Sequence, residues 1–268
     1  AISLTGGFLL SSRGDINFFL LFSLLFGTSL VIASNSVLNN IIDCDIDRYM
    51  HRTCYRVLPK EILSIDKAYF CAFMLGCSGL LLLYFLVGYL SVLLCLFASF
   101  VYIIVYTVYM KRNSTLAPLI GSISGAIPPL IGYSAVNEKL DFCALLLFLI
   151  FIVWQIPHSF AICVFRMDDY KRLGIPVFPV IQGILLTKHC IVITIILFIY
   201  LTTLLYIFNF TNIKYLIISS LSEISWLLYA IYGYRVLNNQ KWAKKLFVFS
   251  IIVIVIFNCM IALDFHIT

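Results

Sequence analysis

Residues 39–47 read Asn39-Asn40-Ile41-Ile42-Asp43-Cys44-Asp45-Ile46-Asp47 and lie at the end of an apolar stretch. Three of them, Asn39, Asp43 and Asp47, are four residues apart, and on a helix this spacing drifts by only about 40° per step. The spacing therefore predicts that the three side chains share one helix face. Oxygen ligands at the rim of a membrane span are costly unless a partner binds them. Because Mg²⁺ held by one or two carboxylates commonly keeps phosphate as a further ligand, the stretch predicts a diphosphate substrate handled at the membrane surface.

The composition of the chain is that of a polytopic membrane protein. Of its 268 residues, 63% are hydrophobic and 11% are charged, and the mean hydropathy is +1.07. Soluble domains carry roughly 25% charged residues. A soluble fold of this length cannot hide so much apolar surface, so the class of soluble globular proteins is excluded.

Eight apolar stretches of about 20 residues predict eight transmembrane helices. They cover residues 17–38, 67–87, 89–109, 115–135, 141–163, 187–208, 213–233 and 245–264. Residues 1–10 are apolar but too short to cross a core of ~30 Å, and they are expected to be the tail of a truncated first helix. The prediction is an all-α membrane protein with nine transmembrane helices, forming one domain over residues 1–268. The nine cysteines include no CxxC pair and are interpreted as small apolar helix residues, not as a zinc site.

Basic residues alternate between the connections that join the predicted helices. The connections after helices 2, 4, 6 and 8 hold 15 of the 18 Lys and Arg residues, and the other face holds Arg13, Lys139 and Lys214. The positive-inside rule then puts the even-numbered connections in the cytoplasm and the C-terminus outside. The net charge of +6 reports this topology and anionic ligands, and nucleic acid is not an expected partner.

Cations follow the acidic stretch and recur at the end of a later span. Arg52 and Arg56 come directly after the acids, and Lys111-Arg112 ends the fourth predicted helix. Guanidinium groups bind phosphate oxygens, and carboxylates bind the cation that bridges the carboxylates to phosphate. A solvated loop or a topology signal is the alternative interpretation of these charges.

A third polar group begins at Trp154-Gln155-Ile156-Pro157-His158 and continues to Arg166, Asp168, Asp169 and Tyr170. Pro157 lies near the end of a span and predicts a broken backbone ladder there. His158 is either a hydrogen-bonded core residue or a functional group. If the helix runs on, His158 and Asp169 lie within about 20° of each other, because 11 residues make nearly three turns.

Two further features lie inside predicted spans. The segment 121–133 is rich in Gly, Ser and Pro, and this predicts either close helix packing or a cavity for a flat ligand. Glu223 is a carboxylate near the middle of a span, and it predicts either a hydrogen bond to a neighbouring helix or a functional site.

Taken together, these motifs resemble the UbiA superfamily of intramembrane prenyltransferases over essentially the whole chain. The first motif is NxxxDxxxD at 39–47, followed by Arg52-Thr53 and Arg56. Within the superfamily, the chain is similar to the branch that farnesylates heme. The segments that carry this similarity are Tyr109-Met110-Lys111-Arg112, Gly125-Ala126, Pro128-Pro129, Gly132-Tyr133, Trp154-Gln155, Pro157-His158, Asp169-Tyr170, Gly174-Ile175-Pro176-Val177, Trp242-Ala243 and Lys245-Leu246-Phe247.

The resemblance implies a fold, a reaction and a set of site residues. The fold is a nine-helix bundle with a central cavity open to the cytoplasm and laterally to lipid. The implied reaction uses Mg²⁺ and transfers a farnesyl group from farnesyl diphosphate to the vinyl group of heme b, with addition of water, giving heme o and diphosphate. The implied metal ligands are Asn39, Asp43 and Asp47. The implied diphosphate ligands are Arg52, Arg56, Lys111, Arg112 and Arg166. The implied heme side is His158, Asp169 and Tyr170, and the implied catalytic residues are Asp43, Asp47 and His158.

The resemblance also implies a multi-pass protein of the cell inner membrane, and it leaves open an association with terminal oxidase assembly. Two alternatives compete with the heme reaction. A prenyltransferase acting on an aromatic quinone precursor would carry a second DxxxD motif on the second long loop, where this chain has His158, Arg166 and Asp169. A transporter of an anionic lipid-like solute needs no metal-ligand spacing and would place its polar residues at mid-bilayer.

Overall fold

The structure, a computed structural model, describes residues 1–50 and 53–264 and shows an all-helical membrane fold in those ranges. Eight of its helices are long and apolar enough to cross a membrane, and they correspond to the eight predicted apolar stretches. These are Phe18–Ile42, Ile65–Leu86, Tyr89–Met110, Ala117–Asn137, Phe142–Phe165, Ile184–Ile207, Ile213–Arg235 and Asn239–Leu263. Residues Ile2–Ser12 form a shorter apolar helix beside them. The all-α membrane class is confirmed, whereas the count of nine spans stays a prediction.

The helices are numbered in chain order. They are α1 Ile2–Ser12, α2 Phe18–Ile42, α3 Cys44–Asp47, α4 Ile65–Leu86, α5 Tyr89–Ser99, α6 Ala117–Gly125, α7 Ile127–Asn137, α8 Phe142–Phe165, α9 Met167–Arg172, α10 Phe178–Ile181, α11 Ile184–Ile207, α12 Ile213–Tyr232 and α13 Asn239–Leu263. A π-helical segment, Phe100–Met110, continues α5, and a 3₁₀ turn, Gly233–Arg235, ends α12.

Polar side chains fix where several spans begin. Asn17 accepts from the backbone N–H of Leu20 at 3.0 Å, and Asp141 accepts from that of Ala144 at 3.0 Å. Such N-caps satisfy donors that the first helical turn leaves without a partner. The long apolar runs between these caps form helices because only internal hydrogen bonding satisfies the backbone in lipid.

The connections that are rich in Lys and Arg lie together at one end of the bundle, which we call the basic end. Three contacts join helix ends there: Arg112 to Asp45, Gln240 to Asp168, and Lys188 to the carbonyl of Gly233. At the other end, Tyr133 donates to Asp141, and Asp264 accepts from the backbone of Tyr215. The structure thus has the predicted alternation of connections. That the basic end faces the cytoplasm stays a prediction.

Two hydrophobic clusters hold the bundle together. One joins α8, α11, α12 and α13, and the other joins α1, α2, α5 and α7. Helices α1 and α7 approach so closely that a Cβ on Gly132 would lie 2.0 Å from the carbonyl oxygen of Leu4. Small residues allow this approach, as at other helix contacts in membranes. The predicted hydrogen bond of Glu223 is confirmed, because Thr202 Oγ1 on α11 lies 3.0 Å from its Oε2.

Pro157 does not break the backbone where the sequence predicts it. Helix α8 runs through Pro157 and ends at Phe165. The prediction of a broken helix end beside His158 is therefore wrong, since neighbouring helices support the span around the proline. The break comes at Arg166, after which α9 starts, so α8 does not run on to Asp169.

Candidate active site

The acidic stretch keeps helical geometry at the basic end although α2 ends at Ile42. The backbone N–H of Asp43 donates to Asn39 at 2.9 Å, and that of Asp47 donates to Asp43 at 2.8 Å. Asn39, Asp43 and Asp47 are 9%, 2% and 4% exposed. Burying two carboxylates is costly unless cations and hydrogen bonds compensate them. The structure therefore has to supply partners for both acids.

Two cations pair with the buried aspartates. Lys111 Nζ forms an ion pair with Asp43 Oδ2, and Arg56 Nη1 lies 2.5 Å from Asp47 Oδ2. Arg56 also donates to the side-chain oxygen of Asn40 at 2.8 Å. Each acid thus has its own cation, and the structure brings predicted metal and diphosphate ligands into direct contact.

Arg112 binds the exposed acid of the stretch. Its guanidinium group donates to both carboxylate oxygens of Asp45 at 2.8 Å and to the carbonyl of Ile42 at 2.7 Å. A bidentate Arg–carboxylate pair is a strong, directional contact. The guanidinium group holds the pKa of Asp45 below its usual range, and the carboxylate raises the pKa of Arg112. Because the pKa of Asp45 is lowered on folding, this pair stabilises the fold above the unfolded pKa of an Asp, and the contribution is lost as the pH falls through the folded pKa.

The π-helical segment aims Lys111 and Arg112 at the acids. Its backbone bonds span five residues, as in the bond from Lys111 N–H to the carbonyl of Tyr106 at 2.8 Å. Thr107, which is fully buried, donates to the carbonyl of Tyr102 at 2.7 Å and accepts from Asn39 Nδ2 at 3.1 Å. π-helical turns are often found at functional sites. Thr107 is not among the predicted site residues. The feature of the sequence that could have identified it is a hydroxyl group four residues before Lys111, in an otherwise apolar span.

One oxygen of the cluster has no hydrogen-bond partner. Asp43 Oδ1 is buried without one, and Arg112 Nη2 is 3.8 Å away. A buried carboxylate oxygen without a hydrogen-bond partner is able to serve as a ligand of a hard cation. Among residues 1–50 and 53–264, no three His, Cys, Asp or Glu side chains form a complete metal cluster. Two carboxylates and an amide suit Mg²⁺, which usually takes its other ligands from phosphate and water.

An apolar cavity, which we call the prenyl cavity, begins one helical turn from Asn39. It has a volume of about 320 Å³ and lies between α2, α5, the π-helical segment and α6. Its walls include Thr28, Asn35, Tyr102, Gly121, Gly125 and Gln155. The segment 121–133 both lines a cavity, through Gly121 and Gly125, and packs against α1, through Gly132. That a cavity here takes a flat ligand stays a prediction.

A second cavity, which we call the acceptor cavity, contains the predicted residues that follow α8. It has a volume of about 300 Å³ and is lined by Met50, Ile162, Phe165, Arg166, Asp169, Tyr170 and Phe247. Arg166 lies 3.7 Å from Asp169 Oδ2. Arg166 therefore contacts a residue of the acceptor cavity and not Asp43 or Asp47.

His158 lies beside the acceptor cavity in a tight aromatic setting. Its ring is 4.8 Å from that of Trp154 and 4.7 Å from that of Phe247, between centroids. Its Nδ1 lies 2.7 Å from the hydroxyl of Ser250 on α13. The contact with Phe247, a wall residue, brings His158 next to the cavity. Arg52, a predicted diphosphate ligand, lies outside the residues that the structure describes.

Comparisons with known proteins agree with this architecture. The model of the UbiA prenyltransferase family matches residues 1–252. A protoheme IX farnesyltransferase of Yersinia pseudotuberculosis is 46% identical over 266 residues, which is 99% of this chain and 90% of that relative. The structure of a digeranylgeranylglyceryl phosphate synthase superimposes with a TM-score of 0.80 at 21% identity, over 97% of this chain and 91% of the other. A UbiA homologue from Archaeoglobus fulgidus, bound to GPP and Mg²⁺, superimposes with a TM-score of 0.64 at 14% identity, over 98% and 97% of the two chains.

Proposed function

Because the chain belongs to the UbiA prenyltransferase family, we propose that it transfers the farnesyl group of farnesyl diphosphate to a vinyl group of protoheme IX, giving heme o and diphosphate. The observation that carries this proposal is a buried aspartate pair, ion-paired with Arg56 and Lys111, that follows directly on α2, a helix whose residues line an apolar cavity. The 46% identity to a farnesyltransferase of protoheme IX supports the choice of acceptor.

The acidic cluster and its cations would bind the diphosphate end of the prenyl donor. Asn39, Asp43 and Asp47 would hold Mg²⁺, in keeping with the orphaned Asp43 Oδ1. When bound, the ion supplies Lewis-acid stabilisation of negative charge on the leaving diphosphate. Lys111 and Arg56, now paired with the acids, would bind phosphate oxygens instead. Preorganised cations that face developing negative charge are typically the largest single catalytic contribution.

The prenyl cavity would take the hydrocarbon chain of the donor. Eleven residues of α2 separate Asn39 from Thr28 at the far wall, a rise of about 16 Å. This length is of the order of an extended farnesyl chain. Burial in a dry cavity protects an allylic cation from water, which a transfer to carbon requires.

The acceptor cavity would hold the heme edge that reacts. The C–O bond of the donor breaks with its electron pair going to diphosphate, and the terminal vinyl carbon bonds to the farnesyl carbon. The remaining cation next to the porphyrin ring accepts the oxygen of water, which loses a proton. We assign His158, Asp169 and Tyr170 to this side of the reaction, where His158 would orient the water or contact the heme iron.

The same proposal includes the location of the enzyme. The excess of Lys and Arg at the basic end supports an active site that faces the cytoplasm, with the C-terminus outside. A bacterial inner membrane fits the Yersinia relative. Association with terminal oxidase assembly stays a prediction.

The test is a reaction with purified protein in lipid, supplied with heme b, farnesyl diphosphate and Mg²⁺. We expect a product with the mass of heme o, dependent on both substrates and lost on chelation of the metal. An aromatic quinone precursor offered in place of heme should give no prenylated product. Product from that precursor and none from heme would contradict the proposed acceptor.

A further inference from the structure

Two cavities adjoin at the basic end of the bundle. The acceptor cavity ends at Phe165 and Arg166, and both residues also line a polar cavity of about 280 Å³. The other walls of this polar cavity are Gln240, Lys241 and Lys244, from the start of α13. We call it the lysine cavity. Since the two cavities share these walls, they lie side by side.

The two lysines have no counter-charge among the residues that the structure describes. Neither side chain forms a hydrogen bond or an ion pair with residues 1–50 or 53–264. Nearby, Gln240 Nε2 donates to Asp168 Oδ2 at 2.8 Å, which fixes the start of α13 against α9. Topology accounts for basic residues at this end of the bundle. It does not by itself explain why two exposed lysines, neither with an anionic partner among the described residues, line a cavity that adjoins an aromatic one.

Aromatic side chains line the acceptor cavity beside these lysines. The Phe165 and Phe247 rings have centroids 5.6 Å apart, and Arg166 stacks on Phe165 with its Cζ 5.2 Å from the ring centroid. Flat aromatic walls that lead to cations suit a flat apolar ligand with anionic groups on one edge. Phosphate on a flexible chain would not need these walls.

We propose that Lys241 and Lys244 bind the two propionate carboxylates of the tetrapyrrole acceptor. This inference rests on the proposed function and adds the residues that orient the acceptor. The propionates of protoheme IX lie on the edge of the macrocycle away from the vinyl that reacts. Holding that edge in the lysine cavity turns the vinyl edge toward Met50, which lines only the acceptor cavity and is three residues from Asp47. The lysines are thus positioning residues, acting through the orientation of the macrocycle.

The experiment compares heme b with its dimethyl ester, in which both carboxylates are neutral. Each is titrated by its Soret absorbance into the protein in nanodiscs of zwitterionic lipid, before any prenyl donor is added. The wild type is compared with K241Q/K244Q. The control is K245Q, because Lys245 lies on the same turn as Lys244 but is not among the walls of the lysine cavity. Farnesyl diphosphate affinity and thermal melting report whether each variant is folded.

We expect the wild type and K245Q to bind heme about tenfold more tightly than the ester, because each of the two exposed charge pairs contributes only a few-fold. K241Q/K244Q should bind the two ligands equally, with farnesyl diphosphate affinity and melting temperature unchanged. Its KM for heme should rise more than its kcat falls.

Other results would overturn the inference in distinguishable ways. If K241Q/K244Q still prefers heme over the ester, the lysines do not bind the propionates, although wild-type heme o production would leave the proposed function intact. If the wild type shows no preference for heme over the ester in zwitterionic lipid, and it retains anionic lipid more strongly than K241Q/K244Q does, a lipid headgroup is the ligand of the lysines. If the wild type neither binds heme nor forms heme o, the proposed function itself fails.

Discussion

Asp43 is the acid on which the site depends most, because it is nearly inaccessible and one of its oxygens has no hydrogen-bond partner. We predict that Asp43→Asn abolishes heme o formation while the bundle stays folded. The loss of activity should exceed the roughly 10–100-fold loss that follows from changing the residues that support the ligands of a metal site. The measurement is the rate of heme o formation beside a thermal melt.

The matched control is Asp45→Asn in the same stretch. The side chain of Asp45 is 63% exposed and is bound to Arg112, which has a second contact to the carbonyl of Ile42. Because Arg112 keeps its contact with the carbonyl of Ile42 and Asp45 is not an implied metal ligand, the loss of the Asp45 carboxylate should reduce activity by less than about tenfold. Equal losses in both variants would mean that the net charge of the stretch, and not a ligand position at Asp43, drives catalysis.

Variants of His158 distinguish a functional role of its imidazole from a purely structural one. We predict that His158→Ala lowers heme o yield while the affinity for farnesyl diphosphate stays nearly unchanged, because His158 contacts the wall of the acceptor cavity and not the acidic cluster. Ser250→Ala is the control, since it removes the hydroxyl 2.7 Å from His158 Nδ1 but keeps the ring. If both variants lose melting temperature, both affinities and yield in step, His158 is a packing residue.

At the scale of elements, regular features could be predicted from the sequence and irregular ones could not. Apolar length predicts the spans, and the spacing of Asn39, Asp43 and Asp47 predicts their grouping, because both follow from helix periodicity. The π-helical register of 100–110 depends on tertiary contacts such as that of Thr107 with Asn39, which no local pattern reports. The prediction at Pro157 is wrong because packing from other helices decides whether a proline ends a span.

The π-helical segment gives a prediction at this scale. Thr107→Val keeps the shape of the side chain but leaves the buried Asn39 amide without its acceptor, at a cost of about 1–3 kcal/mol of unfolding free energy. We also expect the Mg²⁺ concentration for half-maximal activity to rise by about tenfold, because the amide no longer has a fixed orientation.

The control for Thr107→Val is Thr203→Val on α11. Thr203 also bonds to a carbonyl of its own helix, that of Ile199 at 2.7 Å, but it is remote from the acidic cluster. Thr203→Val should leave the Mg²⁺ concentration for half-maximal activity unchanged. A Mg²⁺ requirement in Thr107→Val that equals the wild type, together with lower stability, would show that the π-helical segment only packs the bundle.

At the scale of the whole molecule, the charge pattern predicted which connections lie together, and the contacts at the basic end agree with it. The cavities could not be predicted, since each one draws walls from segments far apart in sequence. Met50 and Phe247 line the same space, for example, because the bundle brings the loop after α3 to α13. Only the packed structure shows this neighbourhood.

The orientation of the whole bundle gives the last prediction. In a cysteine-free background, a cysteine at position 60 should be protected from a membrane-impermeant maleimide in intact cells and should react after the cells are opened. Cysteines at positions 139 and 214 should react in intact cells, because the positive-inside rule places the basic end in the cytoplasm. Lys60 lies in the long loop that follows the acidic stretch, so its label reports the side of the site directly. Reaction at position 60 in intact cells, with protection at 139 and 214, would invert the bundle. The diphosphate site would then face away from the cytoplasm, where prenyl diphosphates are made, and the proposed reaction would lack its donor.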